Sequence, residues 1–416
     1  MSGILEGLKV IDMGHVVAVP AATATMADWG ADVLKIEPMD GEFARGINLI
    51  KKENVSQEVA DGLVGRLIDI DGGEFSWYVH LLNRNKRSLA VDLKTDEGRE
   101  IAYKLVRDAD VFLTNYEAAT VKKLKMHYEA LETINPKLIY GQLTGYGTKG
   151  PDRDERGFDY AAAWARSGAM YMIGQPGSIP APQRGGMMDR TVGAHIVGGV
   201  MGSLYHREKT GKGQKLEFSL YHAGVWTLAE DIQPAVLGIT PVKHDRRSAG
   251  NPLFNSYRTK DGRWFWLAML RSTDSWSDFC RAIDRMDLEN DDRFKDMESR
   301  HENREELVAI IEGIMSKKTI AEWEKILTEN NCIYGRVASP VEVANDPQAL
   351  ANDFFPKLHL HDTDARTVAT PVKFCQNPAT VRAPAPEAGQ HTEEVLLELG
   401  YSWEDIGNLQ EKGIIM

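Results

Sequence analysis

The sequence predicts an α/β protein, with a doubly wound, Rossmann-like parallel sheet domain and a smaller α+β domain. Three observations carry that expectation. A strand-helix-strand pattern fills Leu8 to Glu37. Strand and helix keep alternating to about residue 150, and beyond about residue 225 the pattern turns irregular and rich in tryptophan.

The elements follow in order. LKVIDMG, Leu8 to Gly14, is a short β-rich run. PAATATMADWG is a small-residue helix beginning at Pro20 and stopped at Gly30, and ADVLKIE is the next strand. RSLAVDL is a further strand, and TDEGREIAYKLVRDA is a helix with Thr95 as its N-cap and Glu97 and Glu100 in its first turns. DVFLTNY and KLIYGQLTGYG continue the strand pattern. TVGAHIVGGVMGSLYHREKTGKGQKLEFSLYHAGVW reads as a small-residue helix, a basic glycine turn and a strand. TKDG before RWFW marks a hairpin turn. These signals divide the chain into a large domain whose first part is 1–200, a small domain at 225–330 and a return segment at 331–416 that completes the large one. The stretch from 51 to 75 interrupts the first domain and is expected as an ordered surface insertion.

At 416 residues the chain exceeds what one hydrophobic core organises. Its formal charge of −12 argues against nucleic acid as a partner, because phosphate neutralisation needs clustered Lys and Arg. The longest apolar runs are far short of a membrane span and no signal-peptide core opens the chain, so the expectation is a cytoplasmic protein without a membrane partner. Cys280, Cys332 and Cys375 match no metal-ligand spacing. They are expected as buried small hydrophobes.

The first strand-helix turn is GHVVAVP, which lacks the G-x-G-x-x-G spacing that lets a pyrophosphate approach the backbone. That weighs against the ordinary nicotinamide site and leaves a plain dinucleotide-binding protein as an open reading. Arg84, Lys86, Arg87, Lys94, Lys122, Lys123 and Lys125 crowd the predicted strand ends. Such groups either hold nucleotide phosphates or form solvated faces. In PQRGGMMDRTVG, Asp189 stands between two methionines and an arginine. Its plain reading is the N-cap of a helix starting near Thr191.

The segments LEGLKVIDMGHVVAVPAATATMADWGADVLKIE, NRNKRSLAVDLKTDEGRE, ADVFLTNY, LTGYGTKGPDRDERGFDY, MDRTVGAHIVGGVMGSLYHREKTGKGQKLEFSLYHA and HTEEVLLELGY together resemble the family III CoA-transferases. That family includes formyl-CoA transferase and carnitine CoA-transferase, and the alpha-methylacyl-CoA racemases share its fold. The resemblance implies that Asp189 is a covalent nucleophile acting through mixed anhydrides and an aspartyl-CoA thioester. Gly185 and Gly186 become oxyanion candidates. It implies CoA contacts at His15, Val17, Ala18, Leu93, Lys94, Asn115 and Tyr116. Lys123 stands where formyl-CoA transferase has an arginine, keeping the charge without the bidentate fork.

FDYAAAWARSGAM, with Trp164 and Arg166, resembles the branch acting on aryl-lactates and benzylsuccinate. The implied acceptor is a larger substituted succinate or a 2-hydroxy acid, with succinyl-CoA or a product acyl-CoA as donor. Trp164 would line the acyl pocket, and Arg166 or Arg190 would pair with a second carboxylate. No permanently bound cofactor and no metal are implied, because CoA enters as an acyl-CoA substrate. The family's assembly implies an interlocked homodimer, with a heterodimer with a related subunit as the other arrangement. Three alternatives stay open. A racemase would use the histidine of a GHD motif, where this chain has Phe158 in RGFDY, and phenylalanine carries no proton. A non-catalytic subunit of a two-subunit transferase would have no use for Asp189. The plain dinucleotide-binding protein is the third, which titration with NAD against CoA separates.

Overall fold

Short runs of β-branched and aromatic residues supply the strands of the computed structural model, which describes residues 3–47, 50–70 and 74–416. In chain order they are β1 (Lys9–Met13), β2 (Asp32–Glu37), β3 (Ile50–Lys51), β4 (Glu74–Phe75), β5 (Arg87–Ala90), β6 (Val111–Thr114), β7 (Ile139–Thr144), β8 (Gln214–Ser219), β9 (Phe254–Arg258), β10 (Trp264–Ala268) and β11 (Tyr334–Arg336). Six of them form one sheet in the order β5-β2-β1-β6-β7-β8. Every pairing in it is parallel.

Alternate residues divide between the two faces of this sheet, as the strand period requires. Val10, Val33, Val111 and Ile139 enter one apolar cluster with the helices Ala18–Asp28 and Met187–Thr210. Ile11, Leu34, Phe112 and Tyr140 enter the other, with the helix Asp96–Asp108 and the C-terminal residues Val395, Leu396, Ile406 and Leu409. Burial on both faces explains why the inner strands carry apolar residues on either side of the sheet rather than on one side alone, with Asp12 and Lys35 buried among them. The edge strand β8 carries exposed and half-buried residues instead.

Thr95 caps its helix as expected, its Oγ accepting the Gly98 N–H at 3.0 Å. The first helix differs, because it starts at Ala18 and leaves Pro20 inside the first turn, where a proline loses no helical hydrogen bond.

The chain divides into one unit of residues 1–171, 182–239 and 348–416 and another of 172–181 and 240–347. The boundaries expected from sequence therefore move at both ends. Residues beyond 200 remain with the large unit because β8 pairs with β7 as its sixth strand. The small unit runs past 330 because β11 is the third strand of its antiparallel sheet, β11-β10-β9. That sheet packs with Trp276, Phe279 and Trp323 from helices that lie between β10 and β11 in the chain. Cys280 and Cys332 are buried there, whereas Cys375 is exposed, contrary to the expectation of burial.

The stretch expected as a surface insertion is more than that. Leu67, Ile68 and Phe75 form an apolar cluster with Leu358, Leu360, Ala365 and Val381 of the return segment. Residues 71–73 of the insertion lie outside the described ones.

Candidate active site

The strand order fixes where a ligand can sit. β1 lies between β2 and β6, so the connections after β1 and β6 leave in opposite directions and open a crevice at their carboxyl ends. His15 follows β1 and Asn115 follows β6, and the two are tied together. The Asn115 side chain donates to the His15 carbonyl at 2.9 Å and accepts the His15 N–H at 2.9 Å. The His15 and Tyr116 rings meet with centroids 4.9 Å apart. Burial pushes the His15 imidazole down, and its Nδ1 is buried without a hydrogen-bond partner.

The loop between His15 and Val17 is held in an unusual shape. Val16 has φ 64°, a left-handed backbone that β-branched residues avoid. Its N–H donates to Glu42 Oε2 at 2.9 Å, and Glu42 is paired with the buried Lys35 at 3.3 Å. Lys35 also donates to the Gly14 carbonyl at 2.7 Å. Below this lies Asp12, bound by Lys86 at 2.8 Å and by the Thr23 hydroxyl at 2.7 Å. Burial acts to raise the Asp12 carboxyl, but Lys35 and Lys86 outweigh it and hold the group below the ordinary carboxylate range. Strain at Val16 thus rests on a closed ionic network at the carboxyl edge of the sheet.

Three basic residues expected to meet phosphates are committed elsewhere. Arg84 forks onto Asp28, with Nη2 to Oδ2 at 2.7 Å. Lys86 belongs to Asp12. Arg87 pairs with Asp32 at 2.9 Å and with Glu398 at 2.9 Å. They are interior and edge ion pairs of the fold. Lys94, Lys122, Lys123 and Lys125 are exposed. Val17, Ala18 and Leu93 are buried among apolar residues.

The long helix begins at Met187, four residues before the start expected at Thr191, and its N-cap is Gly186 at φ 72°. Asp189 is therefore the third residue of the helix and caps nothing. Gly186 has no room for a side chain: a Cβ there would lie 2.9 Å from Arg190 Nη1 and 3.2 Å from the Val17 methyls. Gly193 has a similar duty about two turns later, where a Cβ would lie 3.1 Å from the Ala18 carbonyl oxygen. These glycines bring the helix start against the start of Ala18–Asp28, beside the strained loop. Arg190 is exposed and its Nη1 donates back to the Gly186 carbonyl at 3.1 Å.

A second acid meets Asp189 here. Asp159 opens a π-helical turn, Asp159–Ala165, a form that concentrates at functional sites. Burial raises its carboxyl, while the nearby backbone N–H groups of Tyr160, Gly186 and Asp189 and the Gln183 amide pull the other way. Its Oδ2 has no hydrogen-bond partner, and neither has either amide atom of the neighbouring Gln183, although the Gln183 side chain lies close enough to act on its charge. Burial and the Asp159 charge, opposed by Arg190, push Asp189 up to about 7. Tyr78 closes the group, its phenol pushed up to about 12 by burial and by Asp189. Asp189 itself is half-buried, reachable from outside yet poorly hydrated.

The remaining expected residues fall differently. Gly185 is exposed, with nothing nearer to its missing Cβ than Tyr160 Oη at 3.9 Å. Trp164 is only 3% exposed and packs in the core with Met188 and Val192, so its side chain lines no acyl pocket. The π-helical turn puts it on the inner face. Arg166 is ion-paired with Asp152 and lies over the rings of Tyr146 and Tyr221, 5.0 and 5.5 Å from their centroids. It is not among the charges acting on Asp189. Asp159, Gln183 and Tyr78 were not expected as neighbours of Asp189; the acid of RGFDY, three residues from an exposed arginine, was the available signal for the first of them. Among the described residues no helix is long and apolar enough to cross a membrane, and no group of three or more His, Cys, Asp or Glu is arranged to hold a metal.

Comparison with known proteins agrees with this geometry. The profile of CoA-transferase family III matches residues 5–392. The (R)-2-hydroxy-4-methylpentanoate CoA-transferase of Clostridioides difficile is 33% identical over 413 residues, 99% of either chain. The cinnamoyl-CoA:phenyllactate CoA-transferase of Clostridium sporogenes is 32% identical over 421 residues, covering 100% of this chain and 98% of that one. Among solved structures, a CAIB/BAIF family protein from Brucella suis superposes with a TM-score of 0.80 at 26% identity, covering 96% of this chain and 100% of that one. A match that runs through both the switch-point loop and the helix of Asp189, with relatives aligned along the full chain, makes this protein a CoA-transferase of family III.

Proposed function

We propose that the protein moves CoA from an acyl-CoA donor to a 2-hydroxy acid through a covalent intermediate on Asp189. The observation that carries the reading is the setting of this carboxylate: half-buried, in a first helical turn that only a glycine N-cap permits, against a second acid and beside the switch-point crevice.

The chemistry follows from group potential. An Asp189 oxygen attacks the thioester carbonyl of the donor, the C–S bond breaks, and CoA leaves as the thiolate, giving a mixed anhydride. The thiolate then attacks the aspartyl carbonyl, releasing the donor's acid as its carboxylate and leaving an aspartyl-CoA thioester. The acceptor carboxylate attacks that thioester and expels the thiolate, which takes the acyl group from the second anhydride and restores Asp189. Each intermediate stays close to a thioester in group potential, whereas a serine ester would lie too low. N–H groups of the Gly185-Gly186 turn are the proposed oxyanion donors.

For CoA we propose the switch-point crevice: His15, Asn115 and Tyr116, the backbone of Val17 and Ala18, the backbone of Leu93, and the ammonium groups of Lys94 and Lys123 for phosphate. The first N–H groups of the helix Ala18–Asp28 have no intrahelical partner and suit an anion. The acceptor class rests on the two relatives, both named for a 2-hydroxy acid. With Arg166 held by Asp152, a dicarboxylate would have Arg190 alone. The donor is succinyl-CoA or another acyl-CoA of the same exchange.

We also propose that two copies of this chain interlock. The helix Ala229–Val236 buries none of its residues, and Trp226, Val236, Leu237 and Ile239 around it are 61–74% exposed. An apolar surface of this kind marks an interface.

The test is turnover. With succinyl-CoA or cinnamoyl-CoA as donor, the purified protein is expected to form 2-hydroxyacyl-CoA, and Asp189→Asn to lower kcat by about 10³-fold or more with CoA binding little changed. Near-normal turnover by Asp189→Asn would remove the nucleophile from the scheme.

A further inference from the structure

Gln183 and Asp159 form no bond in the transfer chemistry. Their side chains are interior, at 4% and 5% exposure. Gln183 Nε2, Gln183 Oε1 and Asp159 Oδ2 nevertheless meet no partner in hydrogen-bonding geometry. Native interiors rarely leave such atoms unpaired, and each exception calls for a water, an ion, a catalytic role or a ligand that completes it. Both residues belong to the surroundings of the nucleophile: the Asp159 charge acts on Asp189, the Gln183 side chain lies close enough to act on Asp159, and Gln183 precedes Gly186 by three residues. Gly185, two residues after Gln183, is exposed, with nothing nearer to its missing Cβ than Tyr160 Oη at 3.9 Å.

We infer that Gln183 and Asp159 form the acceptor's hydroxyl-recognition site, with the Gln183 amide donating to the α-hydroxyl oxygen and Asp159 Oδ2 accepting its hydrogen. This rests on the CoA-transfer reading and narrows its substrate. Chemical matching selects among the candidate acids. A second carboxylate brought to this pair would meet the acid of Asp159. A methylene would leave all three polar atoms unpaired. A hydroxyl both donates and accepts, and it is small enough to stand one bond from the reacting carboxyl carbon's neighbour. Gln183 and Asp159 are thereby specificity-determining residues, and the pocket rejects the deoxy acid because its own polar atoms would stay buried and unpaired.

The experiment compares three acids of one skeleton as CoA acceptors for the purified full-length protein: 2-hydroxy-4-methylpentanoate, its 2-methoxy ether and 4-methylpentanoate, with the phenyllactate series in parallel. The wild type is expected to favour the hydroxy acid over both others by about 10²-fold or more in kcat/KM, since a site built around a hydroxyl discriminates strongly against its absence. In Gln183→Leu, and in the similarly sized Gln183→Glu, that preference is expected to collapse to within about threefold. The preference is a ratio inside each preparation, so partial misfolding does not mimic it, and the methoxy comparison needs no variant. A wild type indifferent to the hydroxyl, or a Gln183→Leu that keeps the full preference, overturns the inference while CoA transfer stands. A wild type that transfers CoA to no acid overturns both.

Discussion

The carboxylate of Asp159 stands close enough to the helix that begins at Met187 for its charge to act on the Asp189 carboxyl, so two acids meet at the first turn of that helix. Neither can ionise without regard to the other. Burial first and the Asp159 charge second push the Asp189 carboxyl up to about 7, and the exposed Arg190 alongside only partly offsets them.

That value sets a pH profile. Because the nucleophile must be ionised, kcat/KM for the acyl-CoA is expected to rise with pH and level off above about 7. Asp159→Asn removes the like charge and is expected to move the rise to lower pH. An unchanged midpoint in Asp159→Asn, measured from initial rates between pH 5 and pH 9, would contradict the coupling.

The same shift has a thermodynamic side. The folded-state pKa of Asp189 lies above its ordinary 3.8, so between roughly 4 and 7 the folded chain holds a proton that the unfolded chain has released. Its contribution to stability therefore falls as pH rises through that window and is flat above it. Asp189→Asn is expected to melt above the wild type at pH 8, by about 2–4 °C for each kcal/mol relieved, with the gap closing toward pH 4. A gap that widens toward acid would have the wrong sign.

Gly186 is expected to tolerate no side chain. Its φ of 72° costs an L-residue about 1–2 kcal/mol, and the Cβ would press on Arg190 and Val17. Gly186→Ala should lower stability by at least that amount and lower kcat, with denaturant unfolding and turnover as the two readouts. Gly185→Ala, in open space and without positive φ, should cost far less stability.

How far the sequence discloses this arrangement depends on range. β1, β2 and β6 are legible because burial on both faces puts β-branched and other apolar residues on either side of each strand even though Asp12, Lys35 and Glu37 are buried among them, and Thr95 announces its helix by a side chain that caps it. The start of the helix at Met187 is not legible, because its cap is a glycine whose left-handed backbone writes no side chain into the pattern. Lys86 and Arg84 read as phosphate ligands because a charge in sequence shows no partner, and theirs come from Asp12 and Asp28, more than fifty positions away. Trp164 reads as a pocket wall until a π-helical turn carries it inward. The meeting of Asp159, Gln183 and Asp189 is tertiary, so Asp189 is legible through family resemblance and its neighbours through the fold alone.

Asn115 offers a separate test of the crevice. Its amide satisfies both backbone groups of His15, so Asn115→Leu leaves an N–H and a carbonyl unpaired next to the strained Val16. An unmet pair of this kind costs about 1–3 kcal/mol, which predicts a rise of about tenfold or more in KM for the acyl-CoA with a smaller change in kcat. Unchanged KM would place CoA elsewhere.

The central claim is tested most directly by mass spectrometry of the protein after incubation with an acyl-CoA in the absence of acceptor. The expected result is a CoA thioester on the peptide containing GGMMDR, mapped to Asp189, lost in Asp189→Asn and converted to a hydroxamate by hydroxylamine. A label that maps to Asp159, or no label from a preparation that turns over, would contradict it.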